Sequence, residues 1–262
     1  MKKTLVTAGI HGAEIGSVLI AREIKGWVES RDIKEVEVIP EVNLEAVENK
    51  QRENPEDGKD LNRIFPGDKK GTKSELIAHR IFQKAKDYDQ LIDLHTYGKN
   101  SWCVPYMLTD LNKDYNRELC EKIGLENAVQ TGGTGGQLFI ETSNLEIPSM
   151  IIEAGGAERY RDELEMVKKH VLSFIFDEKF EERQNEAAVS YYEYYERIRP
   201  DHKGYFEPKK EPGDHVEEGE EIGTLAGEVV NTPFSGFILG MKMASEYKPE
   251  KESVAAVARK EK

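Results

Sequence analysis

The chain has 262 residues, enough for one large domain or a medium one with a small appendage. Its 37 Lys and Arg face 50 Asp and Glu, a formal net charge of −13, so no basic surface is available to neutralise phosphates. That balance excludes non-specific binding to nucleic acid or to an anionic membrane, while leaving room for a local arginine cluster that takes a small anion.

The amino terminus, Met1 to Gly9, carries two lysines and a very short apolar run, too short for a signal peptide. No apolar run approaches the length of a bilayer span. Cys103 and Cys120 make no disulfide framework. A soluble cytoplasmic protein with free thiols is expected.

Thr4 to Ala8 reads as a buried-type strand, followed by Gly9 and a helix from about Ala13 to Ser30. Val36 to Ile39 and Gln90 to Leu94 read as further strands. Between them Ser74 to Lys86 has the period of an amphipathic helix, with Leu76, Ile77, Ile81 and Phe82 on one face. Pro148 to Glu153 is a strand and Asp162 to Phe176 a helix. Strands apolar throughout and alternating with helices predict an α/β fold, a largely parallel or mixed sheet covered on both faces. After Pro200 the text changes to short β-type runs punctuated by glycine and proline, which predicts a small all-β unit. The tyrosine-rich stretch Ala187 to Arg199 leads into it as a strand or linker, so the expected division is 1–186 and 187–262.

His11, His95 and Glu153 each fall at the carboxyl end of a predicted strand or in the turn after it, the rim where open α/β sheets bind ligands. His11 and Glu14 are three apart across a strand-to-helix turn, so both can face one point. Two imidazoles and a carboxylate form a ligand set that zinc prefers, and three protein ligands leave a position open for catalysis. Each residue alone has a plainer reading: Glu14 as a carboxylate at a helix start, His95 as a hydrogen-bonded core histidine. Glu153 in an apolar strand is harder to explain that way, because a lone buried carboxylate costs several kcal/mol. As a proton acceptor and donor it has a reason to be there. Arg63, after Asn62 in a loop rich in Asp, Gly and Pro, suits a substrate carboxylate. Arg52 in the same loop suits a reacting carbonyl or is simply solvated, and Asp60 would orient Arg63 or a neighbour.

These fragments resemble the aspartoacylase and succinylglutamate desuccinylase family, a branch of the zinc carboxypeptidase-like hydrolases. His11-Gly-Ala-Glu14 is similar to its H-G-x-E metal motif, Asp60-Leu-Asn-Arg63 to its D-L-N-R segment, and Asp93-Leu-His95 and Glu153-Ala-Gly-Gly to its remaining motifs. The resemblance spans about residues 4 to 156, with a counterpart for the carboxyl-terminal β unit. It implies one zinc held by His11, Glu14 and His95, Glu153 as general base, Arg52 at the oxyanion, and Asn62 with Arg63 on the substrate carboxylate. It implies hydrolysis of the amide of a small N-acyl amino acid by promoted water, in a zinc-carboxypeptidase-like mixed sheet flanked by helices. A carboxypeptidase acting on short peptides would use the same parts. A non-catalytic binding module with a vestigial metal site is the alternative of a different class. Acyl group, amino acid and self-association to a homo-oligomer are left open.

Two features mislead. Gly132-Gly-Thr-Gly-Gly136 resembles a phosphate cradle, but no lysine follows it, and a rim loop is the expected role. The carboxyl-terminal unit is similar to biotinyl/lipoyl-type sandwiches and contains Met241-Lys-Met243. Lys242, however, follows the Pro233-x-x-Gly236 segment instead of preceding it, so biotinylation is not expected.

Overall fold

The computed structural model describes residues 2–156, 161–177, 188–250 and 252–261. Six strands occupy the first part of the chain: β1 (Thr4–Ala8), β2 (Val36–Ile39), β3 (Gln90–His95), β4 (Ser101–Thr109), β5 (Asn127–Gln130) and β6 (Ser149–Gly156). Six helices lie between and after them: α1 (Ile15–Ser30), α2 (Leu44–Asn49), α3 (Lys73–Ala85), α4 (Asp114–Ile123), α5 (Leu138–Ser143) and α6 (Arg161–Phe176). A short 3-10 helix spans Leu61–Arg63, and the described elements after α6 are all strands: β7 (Ser190–Ile198), β8 (Gly204–Pro208), β9 (His215–Val216), β10 (Glu221–Leu225), β11 (Glu228–Asn231), β12 (Gly236–Lys242), β13 (Ser245–Tyr247) and β14 (Ala255–Lys260).

Strands β2, β1, β3 and β6 run parallel in that order, as the unbroken apolar runs predict, and every residue of β1 and β3 is buried. The period of two splits each strand between two cores. Val6, Ala8, Ile92, Leu94, Met150 and Ile152 point to the side covered by α1, α4 and α6. Leu5, Leu91 and Ile151 point to the side covered by α3 and α5. Asp93, His95 and Glu153 have the same parity as Leu91 and Ile151, so they share that second face.

β4 runs antiparallel to β6, which makes the sheet mixed. Its other edge is divided: Met107–Thr109 pair with β5, while Ser101–Cys103 pair with Lys242–Gly240 of β12. Since β5 pairs with β7, β7 with β14 and β14 with β12, five strands close into a ring. β12 and β14 therefore have two buried faces. Leu239, Ala256 and Ala258 join the core around Cys103, Tyr106 and Val129, whereas Ile238, Met241, Ala255 and Val257 pack with Phe206, Ile222 and Tyr247. The latter belong to a smaller sheet, β11-β10-β8-β13, and its packing. The division expected between 186 and 187 lies outside the described residues, and hydrogen-bonded strands join the chain on either side of it. Among the described residues no helix is long and apolar enough to cross a membrane.

Candidate active site

Helix α1 starts at Ile15, two residues later than the apolar period alone predicts, because 11–14 form a tight turn with Glu14 N donating to His11 O at 3.2 Å. The turn is wedged against the segment after β2. Gly9 has φ +71°, and a Cβ there would stand 2.8 Å from Pro40 O. A Cβ on Gly12 would overlap the carbonyl group of Ala46. Val42 N and Asn43 N donate to Ala8 O and Gly9 O, both at 3.0 Å, which fixes the backbone on which His11 sits.

The structure brings His11, Glu14 and His95 together as buried residues whose ligand atoms all lie within 4.8 Å of one another. The two rings stand edge to face, centroids 5.0 Å apart. Both present Nδ1 to the same carboxylate: His11 at 2.8 Å from Glu14 Oε1 and His95 at 2.9 Å from Oε2. The opposite nitrogen of each ring meets a second carboxylate. His95 Nε2 is 2.9 Å from Asp93 Oδ2, and His11 Nε2 is 3.0 Å from Asp60 Oδ1. Asp93 is itself held by the Thr7 hydroxyl at 2.7 Å. Asp60 also accepts from Arg52 Nε at 3.1 Å and Nη2 at 3.0 Å and from Asn62 N at 2.9 Å, so its side-chain partners are His11 and Arg52, whereas the Arg63 side chain makes no hydrogen bond to it. Glu153 stands beside His95 in the β3–β6 register.

This donor set fits a divalent cation. Two imidazoles and one carboxylate are the ligands zinc takes, and the carboxylates behind the rings fix which nitrogen is free to coordinate. The charge agrees: Glu14, Asp60, Asp93 and Glu153 converge with the guanidinium groups of Arg52 and Arg197, four carboxylates against two cations, an excess of negative charge that a dication offsets. The titration shifts report the same demand. Burial alone would lower both histidines, yet Glu14 with Asp60 raises His11, and Asp93 with Glu14 raises His95 further. Burial, helped by the charge of Glu14, raises the Glu153 carboxyl above its ordinary range.

Glu14, Arg52 and Glu153 share a cavity of about 340 Å³ with Thr96, Tyr97 and residues of the carboxyl-terminal strands. Asn62 and Arg63 are not among the residues lining it. Asn62 is 3% exposed, and its amide oxygen accepts from Leu138 N at 3.2 Å. Arg63 is exposed, with Nη1 donating to Asn62 O at 2.7 Å. The Gly132–Gly136 loop packs there, Gly136 O accepting from Phe65 N at 3.1 Å, so it flanks Arg63. Lys242 is 2% exposed and paired with Glu252 at 3.0 Å, whereas a modified lysine has to stand free at a turn.

Two contributors escaped the sequence reading. Asp93 had a signal, since residues two apart in a strand share a face. Arg197, which lines the cavity from β7, had none, because its strand reaches the site through pairings with strands far off in sequence.

Residues 1–175 match the family described as succinylglutamate desuccinylase/aspartoacylase catalytic domain. A curated relative, N-alpha-acetyl-L-2,4-diaminobutyric acid deacetylase of Halomonas elongata, is 29% identical over 118 residues, 44% of this chain and 34% of that protein. The match thus spans about a third of that relative's length. Among solved structures, a succinylglutamate desuccinylase/aspartoacylase from Rhodobacter sphaeroides superposes with TM-score 0.85 at 22% identity, covering 100% of this chain and 86% of that one. A product-bound ectoine utilization protein from Ruegeria pomeroyi gives 0.86 at 19% identity, covering 98% and 86%. The mixed α/β fold is therefore shared with these proteins over their β segments as well. The chain belongs to the succinylglutamate desuccinylase/aspartoacylase family.

Proposed function

We propose that the protein is a zinc-dependent deacylase that hydrolyses the amide bond of a small N-acyl amino acid. The observation that carries this reading is the buried His11–Glu14–His95 set opening, through Glu14, into a cavity that also holds Glu153 and Arg52. Family membership and a relative named as a deacetylase of an N-acetylated amino acid support it.

Zinc held by His11, Glu14 and His95 would supply Lewis-acid polarisation of the amide carbonyl and a water of lowered pKa. Asp93 and Asp60 keep the two imidazoles in one tautomer and one orientation. Glu153 takes the proton of the attacking water and returns it to the leaving nitrogen. Its raised pKa suits both halves, since a carboxylate near 4 would be a weaker base. Arg52, pinned through Nε and Nη2 to Asp60, faces the cavity to hydrogen-bond the developing oxyanion. The walls from the carboxyl-terminal strands confine the space, which suits a small substrate better than a polypeptide.

Amine release by zinc-loaded protein across N-acetyl, N-succinyl and N-formyl amino acids and unmodified dipeptides tests this. Turnover of one N-acyl class is expected, reduced about 10²–10⁴-fold in Glu153→Gln with zinc retained. Turnover of dipeptides alone would make the protein a carboxypeptidase. Zinc binding without turnover of any substrate would favour the binding-module alternative.

A further inference from the structure

Beyond Glu153 the cavity runs to a wall made by the carboxyl-terminal segment, which adds Arg197, Arg199 and Lys242 to the basic residues Arg52 and Lys99 of the amino-terminal loops. Arg52, Lys99, Arg197, Arg199 and Lys242 line the space against Glu14, Glu153 and Glu252, in a chain whose net charge is −13. The excess positive charge is thus local and runs against the field of the whole molecule.

The five cations are not equivalent. Arg52 is bound to Asp60 and Lys242 to Glu252 at 3.0 Å. Arg197 and Arg199 form no salt bridge or hydrogen bond among the described residues. The two are spaced by two, so they lie on one face of β7 and its continuation, the face that carries Tyr195. Arg197 and Tyr195 stand opposite Ala256 and Ala258 of β14, small residues that leave room for the longer side chains. The guanidinium carbon of Arg197 is 5.8 Å from the Tyr195 ring centre, leaving its N–H edge unclaimed. It lines the same cavity as Glu153. An arginine that lines a cavity, stays accessible to solvent there and has donors unused is suited to a planar anion that arrives from outside.

We propose that Arg197, with Arg199 beside it, is an anion subsite that receives a carboxylate of the substrate remote from the scissile amide. The carboxyl-terminal β segment then sets the substrate class: amides that carry a free carboxylate on the side facing β7. Which end of the substrate this is rests on the deacylase reading above; the anion subsite itself does not.

The test compares succinamate with succinamide, which share one amide end and differ only in whether the other is a carboxylate. Their binding is titrated by ligand-detected NMR against metal-stripped and zinc-loaded protein. Wild-type protein is expected to prefer succinamate by about tenfold in both states. Arg197→Ala abolishes the preference, Arg199→Ala reduces it, and Arg197→Lys retains part of it, which separates lost charge from a lost fold. A preference that survives Arg197→Ala, one that disappears in Arg63→Ala instead, or none in wild type would overturn the subsite. Because the preference is read without metal and without turnover, it stands even if no amide proves to be hydrolysed. A role for Arg197 exerted only through Glu153 would leave the discrimination between the two probes intact.

Discussion

Replacing Asp93 with Asn isolates how a carboxylate behind a ligand tunes the metal site. Asp93 is fully buried, and both of its oxygens are committed: one to the Thr7 hydroxyl at 2.7 Å, the other to His95 Nε2 at 2.9 Å. Asn preserves the shape. With its oxygen toward His95, its NH₂ faces Thr7 Oγ1, and that hydroxyl can rotate to accept. Every polar group keeps a partner, so the fold should lose no more than about 1 kcal/mol. What disappears is the negative charge that fixes the His95 tautomer and raises its basicity. Removing such a partner typically weakens metal affinity about 10–100-fold. Competition against a chromophoric zinc chelator measures this directly, and melting of metal-stripped protein controls for the fold. Zinc affinity within about twofold of wild type would refute the view that Asp93 orients His95, whatever happened to activity.

Gly12→Ala should be among the most damaging single-methyl changes, because its Cβ would meet the backbone of Ala46 and not a yielding side chain. A loss of about 3 kcal/mol in denaturant unfolding, together with weakened zinc binding through the displaced His11 turn, is expected. Asp57 accepts from Ser74 N at 2.9 Å and Ser74 Oγ at 2.6 Å, tying the Arg52–Asp60 loop to the start of α3. Although burial opposes it, the Ser74 contact leads the interactions that hold its carboxyl at about 2, below the ordinary 3.8. That difference corresponds to at most about 2.4 kcal/mol, and solvent around this partly exposed group reduces it to about 1 kcal/mol. A lowered pKa stabilises above the unfolded value and is lost as pH falls through the folded one. Asp57→Ala should therefore cost about 1 kcal/mol at pH 7, with the gap to wild type closing between about pH 4 and pH 2 in urea unfolding.

The candidate metal-binding residues were legible in the sequence because their signals are local. A strand, a turn and a helix start place His11 with Glu14, and the ends of β3 and β6 place His95 beside Glu153. β4 was invisible for a physical reason. Pro105 lies inside Ser101–Thr109 and reads as a breaker, yet it sits where the β4–β6 register shifts between Cys103 and Tyr106, so its missing N–H interrupts no regular ladder there. α4 passed unread although Leu119, Cys120 and Ile123 form a buried stripe. Arg197 could not be placed because Tyr-Tyr-Glu-Tyr-Tyr-Glu-Arg gives no apolar alternation to say which face is inward. Its inward side is decided by Ala256 and Ala258, which are about sixty residues away along the chain.

The same long-range pairing decides whether the first 186 residues can stand alone. Change of composition near Pro200 predicts a separable unit, but the ring of strands sets three of its members, β7, β12 and β14, on the far side of that boundary. Ending the chain at 186 would strip β5 of its partner Ser190–Tyr192 and Ser101–Cys103 of β4 of theirs in β12. It would also remove Tyr192 and Leu239 from the core around Tyr106 and Val129. Those two side chains alone contribute about 1.5–3 kcal/mol each, against a total stability of about 5–15 kcal/mol, before the broken ladders are counted. The freed edges of β4 and β5 would be open to pairing with other chains. Expressed alone, 1–186 is expected to be insoluble or to melt far below the full chain and to bind zinc weakly. A soluble fragment with full zinc affinity would show instead that the ring is dispensable and that the boundary read from composition is a true domain boundary.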